Sequence, residues 1–121
     1  MGKQTASNKR AKQRKNLIYF PQVFLVGSQE ELGRIVDITT EGFLLVRRDC
    51  LSQGSRFRVR IVWKAGPDGR EDSLECTAEA CWCRPDQNPE LQAVGCRIVA
   101  IDPADKAEIS LLISQWSFPE W

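Results

Sequence analysis

The 121-residue chain has no histidine, a single methionine and a single tyrosine. Without histidine it lacks the side chain that ordinarily moves protons near neutral pH, and no base stands ready to activate a serine or cysteine nucleophile. The same absence thins metal chemistry. The five cysteines, at positions 50, 76, 81, 83 and 96, include a C-x-C rather than a C-x-x-C, so a zinc site would need thiolates converging from separate elements. Acids cluster at Glu30-Glu31 and at Asp68, Glu71 and Asp72, in stretches that read as turns where carboxylates are solvated. A binding module is therefore expected, with no catalytic residue, no metal and no cofactor. Long apolar runs are missing too: none approaches the roughly 20 residues that cross a bilayer. The basic N-terminus is followed by no apolar segment with a small-residue cleavage site. Membrane insertion is not expected, and a cytoplasmic location is. An odd cysteine count without a secretory signal argues against a disulfide framework, so free, mostly buried thiols are expected.

What is present is an ordinary globular composition, 42% hydrophobic and 27% charged, in a length suited to one domain. The net charge of +1 hides an uneven distribution. Residues 1–16 hold Lys3, Lys9, Arg10, Lys12, Arg14 and Lys15 and no acid; the remaining 11 bases face 16 acids, a net charge of about −5. A flexible basic arm on an acidic body points to an anionic ligand met by the arm. Behind it, strand-like runs span Leu17–Val26, Leu32–Ile38, Phe43–Arg47, Arg56–Trp63, Leu74–Cys83 and Leu91–Ile101. The fourth is the clearest, with Phe57, Val59, Ile61 and Trp63 alternating against Arg56, Arg58 and Arg60. Pro21 places the first at an edge or a bend. Asp102-Pro103 then reads as a helix start, and Ile109, Leu112, Ile113 and Trp116 as one apolar stripe. Six short antiparallel strands closed by one C-terminal helix predict an all-β barrel over 17–116. An aromatic tail, 117–121, carries Phe118 and Trp121 and is expected to fold back on the barrel.

Two stretches carry recognition chemistry. Arg10 and Arg14 stand four apart in the arm, and arginine pairs with phosphate through a planar fork and stacks on π systems. Between the second and third strands, Asp37-Ile38-Thr39-Thr40-Glu41-Gly42 offers a carboxylate, a hydroxyl and a glycine in six residues. The carboxylate can accept from a guanine N1–H and amino group, the hydroxyl can hold the turn or donate to phosphate, and the glycine permits positive φ and close ligand approach. As a turn alone, the same residues could do no more than make an Asx or ST turn.

The R-x-x-x-R of Arg10 and Arg14, followed after 22 residues by D-x-T-x-x-G at Asp37, Thr39 and Gly42, resembles the signature of the PilZ domain family, receptors for the bacterial second messenger cyclic di-GMP. Val94-Gly95-Cys96-Arg97-Ile98, then Ile101-Asp102-Pro103, is similar to that family's last strand and helix entry. The resemblance implies a six-stranded antiparallel barrel with a C-terminal helix and a flexible N-terminal arm. It implies that Arg10 and Arg14 clamp the guanines and phosphates, Asp37 reads a guanine edge, Thr39 bonds phosphate or backbone, and Gly42 shapes the loop. Lys9, Trp82 and Arg97 would be secondary contacts. Thr39 stands where the family has serine, and Lys9 where many members have a further arginine. The function implied is a bacterial cyclic di-GMP receptor acting on a separate, unidentified partner protein. The alternative within the fold is an adaptor that binds no nucleotide and works through protein contacts. DNA or RNA binding is disfavoured, because the barrel is net acidic and lacks exposed aromatics interleaved with bases.

Overall fold

The structure, a computed structural model, describes residues 20–65 and 68–116. Lys9, Arg10, Arg14, Leu17–Tyr19, Phe118 and Trp121 lie outside the described residues. Six strands, β1 (Gln22–Leu25), β2 (Glu31–Ile38), β3 (Gly42–Arg47), β4 (Arg56–Ala65), β5 (Arg70–Pro85) and β6 (Gln92–Ile101), precede one helix, α1 (Pro103–Trp116). They form a closed barrel in the order β1-β2-β3-β6-β5-β4, every neighbouring pair antiparallel. Closure removes the unpaired edges that so small a sheet would otherwise expose. The described helix is not long and apolar enough to cross a membrane.

The period-two pattern of β4 sets the inside of the barrel. Val59, Ile61 and Trp63 are buried in it, joined by Val23, Ile35, Leu45, Leu74, Cys76, Ala78 and Val94. The arginines of the same strand face outward and meet cross-strand partners in register. Arg56 Nε lies 2.9 Å from Glu79 Oε1, and Arg58 Nη1 3.2 Å from Thr77 Oγ1. Such exposed pairs contribute at most about 1 kcal/mol each. Helix α1 lays Ile109 and Leu112 against the core, with Ile113 partly buried beside them. Asp102 caps it by accepting from the Ala104 N–H at 3.0 Å.

Three features differ from the sequence expectation. Within the described residues β1 covers only Gln22–Leu25, because Pro21, which has no N–H to pair, precedes it and is itself buried. The β4–β5 hairpin runs further than the apolar pattern indicated, since its polar end is held by ladder pairs out to Ala65↔Arg70 rather than by burial. Finally, Cys50 and Cys83 are not free thiols but form a disulfide, because the barrel brings residues 33 apart in sequence to a Cα separation of 5.8 Å. Cys76, Cys81 and Cys96 remain free.

Two of those thiols are buried. Loss of solvation pushes Cys76 up from 9.0 to about 11, partly offset by Arg58, and pushes Cys96 up from 9.0 to about 12. The folded chain therefore holds both protons at pH values where the unfolded chain has released them. Their contribution to stability is complete below pH 9.0 and is lost as pH rises through 11 to 12. The urea midpoint should accordingly fall between pH 9 and 11, and Cys76→Ala should reduce that slope, measured by denaturation of both proteins across the range.

Candidate functional site

The link between β2 and β3 is an ST turn. Thr39 N–H donates to the Gly42 carbonyl at 2.9 Å, and Thr39 Oγ1 accepts from the Glu41 N–H at 3.1 Å. The Glu41 carbonyl accepts from the Ile98 N–H at 2.9 Å, which fastens the turn to β6. The threonine hydroxyl is thus engaged with backbone. Gly42 has a different reason for being glycine from the one its place in the motif suggested. It starts β3 without the positive φ that Gly27, Gly54 and Gly69 adopt. What it avoids is a collision between a Cβ and the Cys96 carbonyl oxygen across the β3–β6 pair.

Asp37 reaches the outer surface through an irregularity in β2. The register passes from Ile35↔Leu45 to Asp37↔Leu44, so Val36 is an extra residue. With Ile35 and Ile38 both buried, Asp37 sits half-exposed between them.

Opposite this turn stands the end of β5, where a second bulge decides the site. Leu74, Cys76, Ala78 and Ala80 point inward at period two, which would carry Trp82 into the core as well. The register instead passes from Ala80↔Cys96 to Trp82↔Gly95, leaving Cys81 as the extra residue. The phase reverses there. Cys83 packs against the core, while Trp82 and Arg84 face outward. The Trp82 indole lies so close over Gly95 that a Cβ there would occupy the ring, and the Arg84 guanidinium stacks 4.1 Å from the ring centroid. With 39% of Trp82 exposed, the layered pair forms a flat wall of cation and π surface.

Asp37, Thr39 and Gly42 line one side of a groove of about 480 Å³; Trp82, Arg84, Asp86 and Gln87 line the other, over Phe43, Leu44 and Ala93. Its described charges are two acids and one arginine, so a dianionic ligand would need cations from elsewhere. Arg97 is not among its walls. It stands opposite both Gly42 and Glu79 in the sheet, donates to Glu79 at 3.2 Å, and faces a neighbouring groove with Lys106. Arg84 was missed from sequence because Arg84-Pro85 reads as a loop start. Its i,i+2 spacing from Trp82 was the available signal, and the bulge that makes the pair outward has no sequence mark. A larger groove of about 720 Å³ runs alongside, shares Asp86 with the first, and contains Phe20, where the described chain begins.

The close approach at Gly42 gives a direct test. Gly42→Ala should cost about 1–3 kcal/mol by overpacking the β3–β6 pair. Urea denaturation would read this as a lower midpoint with an unchanged slope.

Comparison with known proteins agrees with this architecture. A PilZ domain family profile matches residues 8–115. Among solved structures, the Bacillus subtilis inhibitor of motility MotI/DgrA superposes with a TM-score of 0.66 at 17% identity, over 88% of this chain and 51% of that one. The chain thus spans about half the length of that protein. The PilZ domain of YcgR from Escherichia coli, solved with c-di-GMP, superposes with a TM-score of 0.59 at 17% identity, over 89% of this chain and 92% of that one. No curated protein matches the chain.

Proposed function

The chain belongs to the PilZ domain family, and from that premise we propose that it is a cyclic di-GMP receptor whose N-terminal arm and β2–β3 turn grip one nucleotide site. The observation that carries the reading is the single groove shared by Asp37, Thr39, Gly42 and the Trp82–Arg84 wall. Each part answers one feature of the ligand. The Asp37 carboxylate suits the N1–H and amino donors of a guanine, and the Trp82–Arg84 stack offers a base a planar surface. With two acids against the one cation of Arg84, which stacks on Trp82, the groove itself does not balance the charge of two phosphates. Lys9, Arg10 and Arg14 supply the balancing cations in this reading.

Reach permits it. The described chain begins at Phe20 in the adjoining groove, and the six residues back to Arg14 span at most about 20 Å. The turn is the fixed jaw, anchored to β6 through Glu41 and Ile98. The arm is the moving one: closing it over the nucleotide presents a changed surface to a partner protein, a ligand-driven ordering. YcgR's domain carries c-di-GMP in its solved structure, which supports the same ligand class here.

Calorimetry with cyclic di-GMP tests the assignment. Wild type should bind, and Arg14→Ala and Asp37→Ala should each weaken binding at least about tenfold, since a charge-assisted pair is worth about 1.5–3 kcal/mol. Trp82→Ala should weaken it by about 1–3 kcal/mol through lost stacking. Unchanged affinity in both charge variants would overturn the site, and no binding by wild type would favour an adaptor that works through protein contacts alone.

A further inference from the structure

The Cys50–Cys83 bridge serves neither the hydrogen-bonded barrel nor the chemistry of the groove. Cys50 is exposed on the 48–55 link, three residues past the end of β3. Cys83 is the inward residue between Trp82 and Arg84. The link is also held by Leu51, which packs against the core beside the bridge, and by backbone bonds near its ends, where Arg47 Nη1 donates to the Asp49 carbonyl at 2.6 Å and Gly54 N–H to the Ala80 carbonyl at 2.7 Å. Asp49 lines the larger groove and Trp82 the smaller. The bridge therefore ties the link next to Asp49, on the larger groove, to the strand end that carries the Trp82–Arg84 surface.

We propose that Cys50–Cys83 is a thiol–disulfide exchange site that sets the position of the Trp82–Arg84 wall and thereby tunes nucleotide affinity; its ligand half rests on the receptor reading above. A single bridge among five cysteines, with three thiols left free, suits a reversible control better than a structural framework. Access dictates the chemistry. The thiolate of a small dithiol attacks the exposed Cys50 sulfur, and the Cys83 sulfur leaves with the electron pair of the S–S bond and takes up a proton. The dithiol's second thiolate then resolves the mixed disulfide and releases Cys50, which is protonated in turn. Two electrons and two protons pass to the protein, and the dithiol becomes a disulfide; a small-molecule disulfide oxidant reverses the exchange. Once reduced, the two sulfurs must separate to non-bonded contact. Cys83 shares its short post-bulge segment with Trp82 and Arg84, so that separation is felt in the wall. The bridged form holds the wall in place beforehand and is the tighter binder.

The test uses the full chain, oxidised or treated with dithiothreitol. Denatured oxidised protein should show three free thiols and reduced protein five. The Trp82 indole N–H resonance, assigned with Trp82→Phe, should shift on reduction, and calorimetric affinity for cyclic di-GMP should fall about tenfold. Cys50→Ser should reproduce the reduced spectrum and affinity and ignore dithiothreitol. Five thiols before reductant, an unmoved Trp82 resonance, or equal affinity in the two forms would overturn the proposal. Should neither form bind the nucleotide, the receptor reading falls, and the Trp82 resonance alone decides whether the bridge controls the wall.

Discussion

The register of β5 against β6 is the constraint on which the candidate site depends, because it sets which side chains near Trp82 face the core and which face the groove. Closing a six-stranded barrel demands that every strand keep one apolar face inward. Up to Ala80, β5 does so with small buried residues, Cys76, Ala78 and Ala80, the first two standing opposite Val59 and Phe57 of the paired strand. An indole in the next inward place would overfill that interior. The extra residue at Cys81 relieves the conflict by turning Trp82 out and Cys83 in. Gly95 then becomes necessary, since only a residue without Cβ lets the indole lie flat on β6.

The bulges at Val36 and Cys81 act together with the close-contact glycines Gly42 and Gly95. Val36 turns Asp37 to the surface on one side, and Cys81 turns Trp82 and Arg84 to it on the other. Gly42 and Gly95 let β6 approach both walls from below. Both walls therefore rest on one strand whose ladder is continuous from Gln92 to Arg97 against β3. In the proposed receptor reading, that continuous ladder is the surface against which a nucleotide would be held.

Much of the fold was legible in the residues. The alternation of Arg56–Trp63 marked β4, the 3.6-residue stripe through Ile109, Leu112 and Ile113 marked α1, and Asp102-Pro103 marked its start. Those signals are local: they follow from one strand or helix having one apolar face. Asp37, Thr39 and Gly42 were legible as a group because a turn is contiguous in sequence. Arg84 was not, since its part in the groove depends on a phase slip two residues earlier. Nor was the Cys50–Cys83 pair, whose members meet only because β3 and β5 flank β6.

The residues along the chain carried the barrel-plus-helix pattern, the basic arm on an acidic body and the D-x-T-x-x-G turn that matches the PilZ family. Tertiary structure alone decided which residues face each other across the groove, that Arg97 turns away to Glu79, and that two cysteines 33 residues apart are joined. The physical reason is that composition and periodicity are properties of neighbours along the chain. Register, bulges and barrel closure are properties of strands that meet only after folding.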